Sequence, residues 1–201
     1  MHQIIRMSFE KFIALCFVIW SLSACTDKKV VIPSQPVVEM EYTTINKELK
    51  YGIPGFTLDL NKDNLNDVVF GVQLVGDPLS QSDKRQFFVA GGFNTYMMFS
   101  GNDESPVFTT GEQIALDDSN KGAWYNAPFA LLVERVEHIS GTITWNGNWL
   151  NVTNKYLAFQ LKKNDQRYNG WIELSIDIPN QKIIVHRSAI SKQPEKIIKA
   201  G

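Results

Sequence analysis

The chain has 201 residues, with 20 Lys and Arg against 21 Asp and Glu. That near-balance excludes a basic footprint for nucleic acid or for an anionic membrane surface. Two cysteines, at 16 and 25, are too few for a disulfide framework.

In chain order the first element is a targeting segment rather than part of a fold. Arg6 and Lys11 precede the uncharged run Phe12–Leu22, followed by Leu22-Ser23-Ala24-Cys25. The run has the length of a signal h-region and falls short of the roughly 20 apolar residues a spanning helix needs. The tetrapeptide resembles a bacterial lipobox, which implies cleavage before Cys25 and acylation of its thiol. Residues 1–24 then leave, taking Arg6, Lys11 and Glu10, so the remainder holds 18 basic and 20 acidic residues. Residues 25–37, with Pro33 and Pro36 and no helical period, read as a lipidated tether. Residues 38–201 read as one domain. The expected location is a bacterial membrane, the outer membrane of a Gram-negative cell. The charges Asp27, Lys28 and Lys29 form no acidic export run and favour the periplasmic face over the cell surface.

The domain carries a period of two throughout. Val68, Phe70, Val72 and Leu74 share a face, as do Leu157, Phe159 and Leu161, and Ile172, Leu174, Ile176 and Ile178. Ile183 and Val185 continue the pattern after a Pro179-Asn180 turn. Further strands are expected at 38–44, 85–90, 94–99, 106–109 and 139–145. Asn146-Gly147 carries a hairpin signal, and Gly91-Gly92 reads as a hairpin turn. Phe129, Leu132, Val133 and Val136 have helical spacing, so 124–136 is either one short helix or an irregular strand pair. The fold class is all-β, a single β-sandwich or jelly roll.

Asp59-Leu60-Asn61-Lys62-Asp63-Asn64-Leu65-Asn66-Asp67 is the motif with the most specific chemistry. Alternate residues of a tight turn bring hard oxygens together, and calcium takes six to eight of them. The side chains of Asp59, Asn61, Asp63 and Asp67 and the carbonyl of Leu65 are the expected ligands of one structural ion. Position six is Asn64 rather than Gly, and position twelve is Phe70 rather than a bidentate Glu, so the loop departs from an EF-hand. It resembles the calcium turn of FG-GAP repeats, in which such a run leads into an apolar strand, here Val68-Val69-Phe70-Gly71. The alternative is an Asx-rich turn without an ion.

Tyr168-Asn169-Gly170-Trp171 and the closing Ala200-Gly201, taken with this loop, resemble a family of exported bacterial β-domain proteins. The match covers 59–74 and 155–201 and implies a fold and no activity. Val185-His186-Arg187-Ser188 stands where that family has an acidic-aromatic run.

Trp145, Trp149 and Trp171 are candidate stacking platforms for sugar rings, set against a core role for the same indoles. Enzyme machinery is missing: there is no Gly-x-Ser-x-Gly elbow, no His-x-x-x-His pair and no phosphate-cradling glycine loop. Glu134, Glu137 and Glu173 leave only a carboxylate pair formally open. Two functions result. One is a lipid-anchored, calcium-stabilised structural or binding module of the cell envelope, whose partner is a glycan or another envelope protein. The other is a carbohydrate-binding or carbohydrate-active protein using exposed Trp.

Overall fold

Apolar side chains at every second position make a segment that is stable only when one face is covered, and such segments solve the problem by pairing and stacking. The computed structural model describes residues 37–100, 104–126 and 129–201. The expected signal segment, Cys25 and the tether through Pro36 lie outside the described residues.

The chain runs β1 (Met40–Lys50), β2 (Phe56–Leu58), β3 (Val68–Asp77), β4 (Ser82–Gly91), β5 (Thr95–Phe99), β6 (Gln113–Ile114), β7 (Ala123–Tyr125), β8 (Ala130–His138), β9 (Ile143–Asn146), β10 (Lys155–Lys163), β11 (Gln166–Asp177), β12 (Lys182–Ser191) and β13 (Ile198–Lys199). Six strands form one antiparallel sheet in the order β1-β12-β11-β10-β5-β7, and five form a second in the order β2-β3-β4-β8-β9. The protein is an all-β sandwich. Its main core lies between the sheets, where Leu157, Phe159, Ile172, Leu174 and Val185 meet Val68, Phe70, Phe87, Val89 and Leu132.

The outer face of the six-stranded sheet is also covered. Met98, Phe108, Ile114, Tyr156, Ala158, Trp171, Ala189, Ile198 and Ala200 form a second apolar cluster there. Its lid includes the pair β6–β13, closed by Ala200 N–H donating to Glu112 O (2.9 Å) and Gly111 N–H donating to Ala200 O (2.7 Å). Residues 169–176 of β11 are therefore buried on both faces.

Three expectations are corrected: the Asn146-Gly147 hairpin, the Gly91-Gly92 hairpin turn and the strand at 106–109. Of the two readings of 124–136 the strands are found and no helix is described: it holds β7 and the start of β8, which belong to different sheets, with residues 127–128 outside the described set. A bulge explains the helical spacing: Phe88 pairs with Leu131 and Phe87 with Val133, leaving Leu132 as an extra residue. Leu132 and Val133 consequently both reach the core although adjacent in sequence. Asn146-Gly147 is no hairpin turn, because β9 belongs to the five-stranded sheet and β10 to the other. Gly91-Gly92 likewise passes the chain from β4 to β5 across the sandwich. The segment 106–109 holds only an isolated bridge, Phe108 to Tyr156.

Candidate functional site

The Asp59–Asp67 loop joins β2 to β3 and is closed at its base. Asp67 N–H donates to Leu58 O at 2.9 Å, and Leu60 N–H donates to Asp67 Oδ2 at 2.6 Å. Leu60 itself is buried and pins the start of the turn to the core. Within the loop the polar side chains accept from backbone amides. Asp59 accepts from Asp63 N–H (3.2 Å) and Asn64 N–H (2.7 Å), Asn61 from Asp63 N–H (3.0 Å), and Asp63 from Leu65 N–H (2.9 Å). Lys62 and Asn64 adopt left-handed conformations, with φ of 60° and 67°. Asn at the sixth position thus does the task of glycine, as its tolerance of that region allows.

The loop's charges are poorly compensated. Among the described residues no Lys or Arg forms an ion pair with Asp59, Asp63 or Asp67. Lys62, in the middle of the loop, turns instead to Glu41 at 2.5 Å. Burial pushes the Asp67 carboxyl above its ordinary range, the Leu60 amide opposes this, and the charges of Asp63 and Asp59 reinforce it. Among the described residues, no three His, Cys, Asp or Glu side chains converge closely enough to hold a metal as they stand. The donor set still suits a hard cation, and each carboxylate oxygen that accepts one N–H retains a second lone pair. Leu65 lies on the outer part of the loop and is 65% exposed.

This loop lines an open cleft of about 560 Å³ together with Gly92–Thr95 and Leu161–Asp165. Asp67, Thr95 and Leu161 are its buried lining residues, and Leu65 and Phe93 stand exposed around it.

The tryptophans lie elsewhere, and their burial corrects the idea that all three offer free rings. Trp149 is completely buried in the main core and donates Nε1–H to Ser105 O at 3.1 Å. Trp171 is 1% exposed, edge-on to Tyr156 with centroids 4.9 Å apart, and Arg187 lies 5.3 Å from its ring centre. Trp145 is half-buried against Phe87 at 6.0 Å. Trp171 alternates with residues that looked solvated in the sequence; the second apolar layer reverses that reading.

Nor do the three glutamates gather. Glu173 pairs with Arg187 at 2.5 Å on the six-stranded sheet. Glu134, on β8 of the five-stranded sheet, accepts from Gln86 Nε2 at 2.7 Å, and Glu137 pairs with Arg135 at 2.6 Å.

One contact had no signal in the sequence. The Ser175 hydroxyl lies 2.8 Å from His186 Nε2, and the same Oγ accepts from Asn154 N–H at 3.0 Å. His186 is the extra residue of a bulge, because Glu173 pairs with Arg187 and Leu174 with Val185. Among the described hydrogen bonds none holds the second ring nitrogen, so the pair lacks the orienting group that nucleophile activation needs. It fastens the bulge to the neighbouring strand.

Comparison with protein-family models, with curated proteins and with solved structures finds no match for this chain.

Proposed function

We propose that the chain is a lipid-anchored module of the bacterial cell envelope, whose sandwich is stabilised by one calcium ion at the Asp59–Asp67 loop. Asp59, Asn61, Asp63 and Asp67 supply side-chain oxygens and Leu65 a carbonyl; Cys25 carries the lipid. The observation that carries the calcium reading is three carboxylates within nine residues, none paired with a Lys or Arg among the described residues. Like charges at such spacing raise the energy of the fold, and a divalent cation removes that cost. The ion's task is structural. The loop feeds directly into β3, where Val68 and Phe70 are fully buried, and a one-residue slip would turn both outward.

Thermal melting of the mature protein with calcium and with chelator tests this. A ligand confined to the folded state adds about 2.7 kcal/mol at a hundredfold excess over its Kd. At roughly 2–4 °C per kcal/mol for a domain of this size, the expected rise is about 5–10 °C. Asp63→Ala should abolish the rise. Equal melting temperatures, with no bound ion by calorimetry, would leave an Asx-rich turn.

A further inference from the structure

Three segments distant in sequence build the cleft beside the loop, and the middle one is bonded to both others. Gly92 N–H and the Thr95 hydroxyl donate to Asp67 O at 2.6 and 2.8 Å, while Lys162 N–H donates to Asn94 O at 2.9 Å. A Cβ at Gly92 would lie 2.9 Å from Asn66 O, so the turn is pressed against the loop as closely as a backbone allows. Asn126 Nδ2–H donates to Phe93 O at 2.7 Å, which holds the turn from the other side. Phe93, which this fixed backbone presents, is 89% exposed.

The chemistry around that ring is mixed and nearly neutral. Asn66, Asn94 and Asn164 offer amide donors and acceptors together, apart from the side chains assigned to the ion. Asp63, Asp67, Asp165, Lys162 and Lys163 also line the cleft, and Lys162 Nζ lies 3.1 Å from Asp165 Oδ1. A phosphorylated ligand would meet three carboxylates against two lysines, one of which is already paired with Asp165. An apolar ligand would strand the amides without partners, at the cost of their desolvation. A ring with hydroxyls around its edge and C–H groups on its face satisfies both the amides and the phenyl ring.

We propose that this cleft binds a neutral saccharide, with Phe93 stacking on a sugar face and the Asn66, Asn94 and Asn164 amides bonding its hydroxyls. The proposal rests on the envelope-module reading for its setting and gives that module a ligand class; it does not require the calcium ion. It also moves sugar binding away from the tryptophans, two of which are fully buried.

The test is isothermal titration of the full mature protein, held in a detergent without a sugar headgroup. The probes are cellotetraose, maltotetraose and chitotetraose, preceded by a glycan array to widen the choice. At least one neutral glycan should bind. Phe93→Ala should weaken it by about tenfold, the upper range of an aromatic contact, with an unchanged melting temperature, and Phe93→Tyr should retain it. Failure of every neutral glycan to bind overturns the proposal, as does wild-type affinity in Phe93→Ala. Repeating the titration in chelator separates the two readings. Saccharide binding by a protein that holds no calcium supports the cleft and removes the ion, whereas calcium binding without any saccharide removes the cleft alone.

Discussion

A Cβ built on Gly170 would lie 2.2 Å from Phe159 Cζ and 2.7 Å from Ala189 O. The glycine leaves room for a core ring from the paired strand, and Phe159, fully buried, has nowhere to swing. Its neighbours have tasks of the same kind. Asn169 Nδ2 reaches Ile114 O, Ala115 O and Lys196 O at 3.0–3.3 Å, tying three lid carbonyls to β11. Trp171 fills the layer beneath that lid. The Tyr-Asn-Gly-Trp run is thus a packing motif in this chain, not a ligand motif. Gly170→Ala should cost about 1–3 kcal/mol by overpacking, seen as a fall of about 2–12 °C in melting temperature. A melting temperature equal to wild type would mean that Phe159 has an alternative position.

Strands β3, β10 and β11 were legible in the sequence because their core-facing residues keep a strict period of two over several positions. Bulges broke that rule elsewhere, and β8 shows the effect: one inserted residue turned a strand into a helix-like pattern. The second layer was not legible either. Its lid is built from short pairings, β6 with β13 and Phe108 with Tyr156, each too brief to leave a period. Of the cleft, the acidic loop stood out in the sequence. Phe93, Asn94 and the Lys162–Asp165 turn did not, since only folding brings them beside it. The lid makes a specific claim on energy: Ile198, 3% exposed, packs in the cluster that covers Trp171. Ile198→Ala should cost about 2–5 kcal/mol, read by chemical denaturation; a loss well below that would show a lid that contributes little to the fold. The β3–β4 turn predicts an acid limb. Ser80, through its hydroxyl and amide, and then Lys84 hold the Asp77 carboxyl down to about 2, against 3.8 ordinarily. A lowered folded pKa gives stability that is complete above the ordinary value and fades as pH falls from about 4 towards about 2. In Asp77→Asn that part of the decline should be absent, so the denaturation midpoints of variant and wild type should draw together across this window. A gap that stays constant with pH would exclude Asp77 as a source of the acid limb.

At the scale of the whole molecule, the chain's two cysteines both precede residue 37, so the described sandwich contains none. Its cohesion comes from two apolar layers on either side of one sheet, and from the ion if the loop holds it. The chain is already fastened just after the expected tether: Val38 packs on the second cluster, and Lys192 N–H donates to Glu39 O at 2.9 Å. These contacts close the described sandwich with its own residues, so the proposed attachment at Cys25 should be separable from stability. Each buried methylene of an acyl chain contributes about 0.8 kcal/mol of membrane affinity, and stable anchoring takes more than one chain. Cys25→Ser removes the thiol that would begin this acylation while leaving residues 37–201 unchanged. The variant should partition into the aqueous phase of a detergent separation, or persist as an uncleaved precursor detected by N-terminal sequencing. In the cleaved, aqueous form its melting temperature should match that of the parent. A variant that stays in the detergent phase with the same mature N-terminus as the parent would show that Cys25 is not the anchor.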